Sequence, residues 1–188
     1  MAWLKPLADG LTGLRLVLSV VLAGWGRLMG SDGLSTAAFL LLAAWTTDAL
    51  DGPLARKSGV THQSWIGRND LLIDIVVATA LLSFMRSAEL IHPLAVAAYL
   101  LLWGVILWRC GGVTKPLGAA FQGPVYISFG LCLLARRLIV GRVMVAWVLA
   151  NVAVKWETLT KRELPYFLQG MRRARARLLR DSLEDAGD

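Results

Sequence analysis

The chain has 188 residues, of which 56% are hydrophobic, and its mean hydropathy is +0.58. An apolar excess of this size excludes an ordinary soluble domain and indicates a membrane protein with room for one compact bundle. The net charge of +7 is typical of cytoplasmic loops beside anionic lipid, and no basic motif rich in aromatic residues favours nucleic-acid binding.

Six apolar segments are predicted to cross the membrane as helices, because lipid offers no hydrogen-bond partners to exposed backbone groups. Gly, Pro and charged residues mark the breaks between them. A short N-terminal stretch is expected to lie at the membrane interface. The first segment is expected to be retained, since no cleavage site of small residues follows it. The six segments are 11–29, 34–51, 69–85, 91–108, 119–135 and 138–155.

The distribution of lysine and arginine sets the expected orientation. With the N-terminus in the cytoplasm, fifteen basic residues lie inside and five outside, and without the eight from Lys155 onwards the ratio is seven to five. We therefore expect a membrane domain at 1–155 and a basic cytoplasmic tail at 156–188. The tail sequence MRRARARLLRDSL fits a helix on anionic lipid and equally a solvated helix.

Four aspartates lie at the facing ends of the second and third segments. Asp48 and Asp51 are spaced i, i+3, and Asp70 and Asp74 are spaced i, i+4, so each pair lies on one face of its helix. Both pairs fall on the same side of the membrane, where unpaired carboxylates would repel one another. Two hard divalent cations could be shared among four carboxylates. The alternative for each pair is a solvated helix end.

The residues around the aspartates form a longer pattern, DALDGPLAR from Asp48 to Arg56 and DLLID from Asp70 to Asp74. It resembles the signature of the CDP-alcohol phosphatidyltransferase family, D-x2-D-G-x2-A-R followed by G-x3-D-x3-D. The stretch LTGLRLVLS near the start is similar to the family's first helix. The six-helix layout extends the resemblance to about residue 155, and it implies an all-α membrane bundle.

One position departs from the family pattern. The second glycine of the signature would stand four residues before Asp70, where this chain has Ile66, and Gly67 follows directly. Both positions flank the Asp70 face of the helix, so we expect Gly67 to allow a similarly close approach of substrate. The alternative is an altered or lost activity.

The resemblance implies transfer of a phosphatidyl group from CDP-diacylglycerol to a small alcohol, with release of CMP. It implies that the four aspartates hold Mg²⁺ or Mn²⁺, as two ions, and that Asp74 is also the base for the acceptor hydroxyl. It further implies a homodimer in a bacterial inner membrane, with the active site facing the cytoplasm. The residues expected to line the CDP site are Gly52, Ala55, Arg56 and Gly67.

The expected acceptor is glycerol 3-phosphate, because short chains of this layout resemble the phosphatidylglycerophosphate synthase-like members of the family. Inositol phosphate, serine and phosphatidylglycerol are alternatives. A phosphorylated acceptor needs cations, and Arg109, Lys115 and Lys155 are candidates, although anchoring on the positive side explains them equally well. Two other interpretations are a non-catalytic family member and an ion transporter. Segments four to six supply no acidic residue that would continue an ion path.

Overall fold

The computed structural model describes residues 4–58 and 69–184, and for residues 4, 5, 8, 51–58 and 180–184 it describes the backbone alone. Within these ranges every regular element is a helix, as predicted. A 3-10 turn joins the first two long helices, and a helical turn followed by a π turn leads into the last one. The long helices are α1 (Leu4–Met29), α2 (Leu34–Ser58), α3 (Asp70–Ser87), α4 (Pro93–Arg109), α5 (Lys115–Ala135), α6 (Ile139–Val154) and α7 (Leu164–Glu184).

The first six helices follow the six apolar segments, and prolines explain where two of them, α4 and α5, begin. Helix α5 begins at Lys115, ahead of the predicted residue 119, because Pro116 lies in its first turn, where a missing N–H breaks no hydrogen bond. Helix α4 begins in the same way at Pro93, and the side chain of His92 caps it. Helix α1 already begins at Leu4, so the stretch expected at the interface continues the helix.

Within residues 4–58 and 69–184, two helical stretches are long and apolar enough to cross a membrane, Asp9–Leu50 and Lys115–Ala135. A third exists if Ile139–Val154 and Trp156–Leu179, which meet at a bend of 71°, count as one span. Helix α4 is also apolar but has 17 residues. These helices indicate a membrane protein, and the number of six crossings stays a prediction.

The larger of two apolar core clusters among the described residues is centred on α1, α2, α3 and α5. Helix α1 packs along α2 and α3, and α3 in turn packs against α5. Phe84 of α3 and Phe129 of α5 are fully buried and meet edge to face, with ring centroids 6.1 Å apart. Of the other fully buried α3 residues, Ala78 lies at the middle of the helix, and Leu81 and Met85 lie in its C-terminal half. The buried α3 residues of this cluster begin at Val77, two turns after Asp70.

The close approach of α1 to α3 depends on Gly26. A Cβ atom there would lie 2.9 Å from the backbone oxygen of Phe84 and 3.0 Å from the Cβ of Ser87. We expect Gly26→Ala to lower the free energy of unfolding by about 1–3 kcal/mol, because the backbone of α3 would have to move.

The matched control is Gly24→Ala in the same helix, where nothing lies within 4 Å of the Cβ position. It should raise the stability by up to about 1 kcal/mol, through better helix propensity. Thermal unfolding of both variants in one detergent makes the comparison, and equal midpoints would contradict the packing described here.

Candidate metal centre and its cavity

Three of the four predicted aspartates meet at one point. One carboxylate oxygen each of Asp48, Asp70 and Asp74 lies within 4.8 Å of the other two. Asp48 comes from α2, Asp70 begins α3, and Asp74 lies one turn further along the same face. The backbone of Asp51 is part of α2, but its side chain lies outside the described residues. The i, i+4 spacing and the facing helix ends thus bring these three side chains together.

A buried arginine lies at the centre of this group. The side chain of Arg15 is 1% exposed, and its Nη1 donates to Oδ1 of Asp48 and to Oδ1 of Asp74, each at 2.6 Å. Its Nη2 donates to Oδ1 of Asp70 and, at 3.4 Å, to the hydroxyl of Thr12. One guanidinium thus links α1 to both helices that carry the aspartates.

The role of Arg15 in the site was not predicted. In the sequence this residue is one of the basic residues of the expected cytoplasmic side and lies within LTGLRLVLS. The available signal was the position of Arg15 in the middle of an apolar helix, where a charged residue must find a buried partner. Divalent metal ions and Arg56 are the cations that the sequence suggests for the carboxylates, whereas the buried partner in the structure is Arg15, one helix away.

A cavity of about 660 Å³ opens beside the aspartates, between α2, α5 and α6. Arg15, Asp48 and Asp74 line one end of it. The walls beyond are mostly apolar, and Trp45 in them packs against Tyr126 at 5.1 Å and against Trp147 at 5.5 Å between ring centroids. The described cavity therefore combines a charged end with an apolar, aromatic body.

The other predicted site residues are distributed unevenly. Lys155 lines the cavity, whereas Arg109 at the end of α4 and Lys115 at the start of α5 do not. The backbones of Gly52, Ala55 and Arg56 belong to α2, and their side chains are outside the described residues. Gly67 lies outside the described residues altogether. Two polar residues, Gln122 and Asn151, also line the cavity.

The donor set fits a hard divalent cation. Carboxylate oxygens are the ligands that Mg²⁺ and Mn²⁺ prefer, and three of them lie within reach of one ion. The three carboxylates carry three negative charges and the guanidinium of Arg15 carries one positive charge, so these four side chains together have a formal charge of −2. That negative charge matches the positive charge of one divalent ion.

A comparison with known protein families gives a match over most of the chain. The family model of the CDP-alcohol phosphatidyltransferases matches residues 5–159. The match contains Arg15, the three converging aspartates and Lys155, and it ends before α7 begins. No curated protein and no solved structure matches the chain at a significant level.

Proposed function

Because the chain belongs to the CDP-alcohol phosphatidyltransferase family, whose members transfer substituted phosphate groups, we propose that it moves a phosphatidyl group from CDP-diacylglycerol to an alcohol and releases CMP. The observation that carries this proposal is the convergence of Asp48, Asp70 and Asp74 at the charged end of a mostly apolar cavity. The charged end suits a diphosphate with its metal ions, and the apolar body suits the hydrocarbon part of a lipid.

The family depends in general on divalent metals, and an acidic triad is present here. We propose that Asp48, Asp51, Asp70 and Asp74 hold two ions of Mg²⁺ or Mn²⁺. Bound there, the ions supply positive charge that neutralises the diphosphate and stabilises the departing CMP. Arg15 holds three of the carboxylates in place from the side of α1.

Asp74 is proposed as the base. Its carboxylate is 28% exposed and lines the cavity, so an acceptor hydroxyl that arrives through the cavity can reach it. The hydroxyl oxygen forms the new bond to phosphorus, the bond from phosphorus to CMP breaks, and the hydroxyl proton passes to Asp74. The donor nucleotide is proposed to lie against the α2 residues that follow Asp48 and near Gly67. Those in α2 are Gly52, Ala55 and Arg56.

Glycerol 3-phosphate is the proposed acceptor. Lys155 supports this proposal because it lines the cavity and offers an ammonium group to the acceptor phosphate. Lys115 lies one turn before Gly118, and a Cβ at Gly118 would come 2.8 Å from the side chain of Leu71, so this turn packs beside the first turn of α3. Arg109 is proposed as the third cation.

The test is CMP release from CDP-diacylglycerol by the purified full chain, with each candidate acceptor added in turn. Glycerol 3-phosphate should give the fastest release among glycerol 3-phosphate, inositol phosphate, serine and phosphatidylglycerol. Faster release with another member of this panel would reassign the acceptor. No release with any of them, from folded protein supplied with metal, would contradict the transfer reaction.

Activity should require Mg²⁺ or Mn²⁺, and Ca²⁺ should support it poorly. Mg²⁺ demands near-octahedral geometry with bonds of about 2.0–2.1 Å, whereas Ca²⁺ takes more ligands at about 2.3–2.6 Å. The rate of CMP release is measured after chelation and then with each ion restored. Full activity in excess chelator would rule out the two-metal proposal.

We also propose a homodimer in a bacterial inner membrane with the aspartates facing the cytoplasm. The resemblance to the family is the main support for the dimer. Helix α4 offers an apolar face that a second copy or lipid can cover, because Val96 is the one buried residue among its described side chains and Leu101 and Trp108 are 71% and 80% exposed. Mass measurement of the active protein in lipid nanodiscs should give two chains. A fully active single chain would contradict the dimer.

A further inference from the structure

A second cavity lies between α7 and the connection from α4 to α5. Its volume is about 250 Å³. From α7 it is lined by Tyr166, Gln169, Arg173 and Arg177, and from the connection by residues that include Thr114. We refer to this cavity as the α7 notch. The described linings of the notch and of the cavity at the aspartates have no residue in common.

Helix α7 is held firmly beside the notch. Gly170 packs so closely on Pro116 that a Cβ atom at this position would overlap the proline ring. One turn later, Ala174 is buried. Arg177 donates from Nη1 to the backbone carbonyl of Cys110 at 2.9 Å. These contacts fix the helix face that carries Arg173, so its guanidinium is presented from a rigid element.

The chemistry of the notch is that of an anion site. It contains two arginines, the hydroxyls of Thr114 and Tyr166 and the amide of Gln169, and none of the described residues that line it carries a carboxylate. A guanidinium has five N–H donors, so Arg177 keeps donors beyond the one used on Cys110. A planar guanidinium group can donate two parallel hydrogen bonds to two oxygens of one phosphate.

We propose that the α7 notch binds a phosphate group. The phosphate belongs either to an anionic lipid headgroup or to a water-soluble phosphate ester, and both offer the same oxygens to Arg173 and Arg177. Helix α7 follows the apolar helix α6 after a bend of 71°, and its contact with Pro116 brings its basic face next to the apolar bundle. The proposal does not depend on the transfer reaction, because the notch is separate from the aspartates.

Helix α7 provides its own matched control. Tyr166, Gln169, Arg173 and Arg177 recur at three- and four-residue intervals and so share one face of the helix. Arg172 is adjacent in sequence and exposed, but it points about 100° away and does not line the notch. Arg172→Gln and Arg173→Gln therefore remove the same charge from the same turn, and only the second removes a notch donor.

The experiment uses the full chain in detergent without CDP-diacylglycerol, so its outcome does not depend on catalysis. The midpoint of thermal unfolding is measured at increasing concentrations of each of three probes. They are inorganic phosphate at constant ionic strength, short-chain phosphatidylglycerol, and the diacylglycerol with the same chains and no phosphate. At least one phosphate probe should bind saturably, and the diacylglycerol should not. Arg173→Gln should weaken that binding by about tenfold or more, and Arg172→Gln by less than about twofold.

Binding of phosphatidylglycerol without binding of inorganic phosphate would assign the notch to lipid headgroups, and the reverse would assign it to soluble phosphate esters. Arg173→Lys keeps the charge but loses the planar pair of N–H donors. Its affinity for phosphate should therefore lie between those of the wild type and Arg173→Gln. Equal affinities in wild type and Arg173→Gln would overturn the proposal. It would also be overturned if Arg172→Gln lost as much affinity, since the effect would then be general charge attraction.

Discussion

Replacement of Asp48 by asparagine is expected to lower the rate of CMP release by about a hundredfold or more, because the loss of one metal ligand removes several kcal/mol of transition-state stabilisation. The substitution changes the volume of the side chain little. Arg15 would keep its ion pairs with Asp70 and Asp74, so the bundle should stay folded. The rate is measured on purified protein with saturating donor, acceptor and Mg²⁺.

The control is Asp32→Asn, the same substitution at an exposed aspartate in the 3-10 turn between α1 and α2. Its rate should equal that of the wild type. If Asp48→Asn kept more than about a tenth of the activity, the assignment of Asp48 as a metal ligand would be wrong, since a lost ligand should cost far more.

Replacement of Arg15 by glutamine should lower the free energy of unfolding by about 2–3 kcal/mol. Removal of one partner from a fully buried ion pair costs about 3–5 kcal/mol, because a charge is left without compensation. Here the carboxylates that remain are 28% to 49% exposed, so water screens part of their repulsion and the effect is smaller. Thermal or denaturant unfolding without added metal measures it. Arg27→Gln, at an exposed position in the same helix, is the control and should change stability by less than about 1 kcal/mol.

Two further measurements identify why Arg15→Gln lowers the free energy of unfolding. The double variant Arg15→Gln/Asp70→Asn should be more stable than the sum of the two single effects predicts, because it has one carboxylate fewer to repel the others. Added Mg²⁺ should raise the unfolding midpoint of Arg15→Gln more than that of the wild type, since a metal ion then supplies the missing charge. Additive single effects together with equal responses to Mg²⁺ would show that Arg15 acts through packing alone.

Much of the architecture could be predicted because membrane helices leave a strong local signal. Long apolar runs with Gly, Pro and charge between them indicated the helices α1 to α6, and only their ends shifted, as at Pro116. The meeting of Asp70 with Asp74 follows from helical periodicity within one segment. Their meeting with Asp48 required only that consecutive helices reverse direction.

The features that could not be predicted depend on contacts between distant parts of the chain. Arg15 lies 33 residues from Asp48 and 59 from Asp74, and periodicity gives the face of a helix without naming the neighbour of that face. The tail was expected to lie on lipid or in solvent, whereas α7 also packs on α5 through Gly170. A glycine in a basic amphipathic sequence gave no indication of that partner.

The packing of α7 also fixes an order of events during protein synthesis. The Cys110 carbonyl and its donor Arg177 are 67 residues apart, so the ribosome makes the acceptor well before the donor. At translation rates of about 5–20 residues per second, that separation corresponds to roughly three to thirteen seconds. During this interval the nascent bundle must hold the connection between α4 and α5 without α7. The α7 notch can therefore form only after the helices that carry the aspartates have been made.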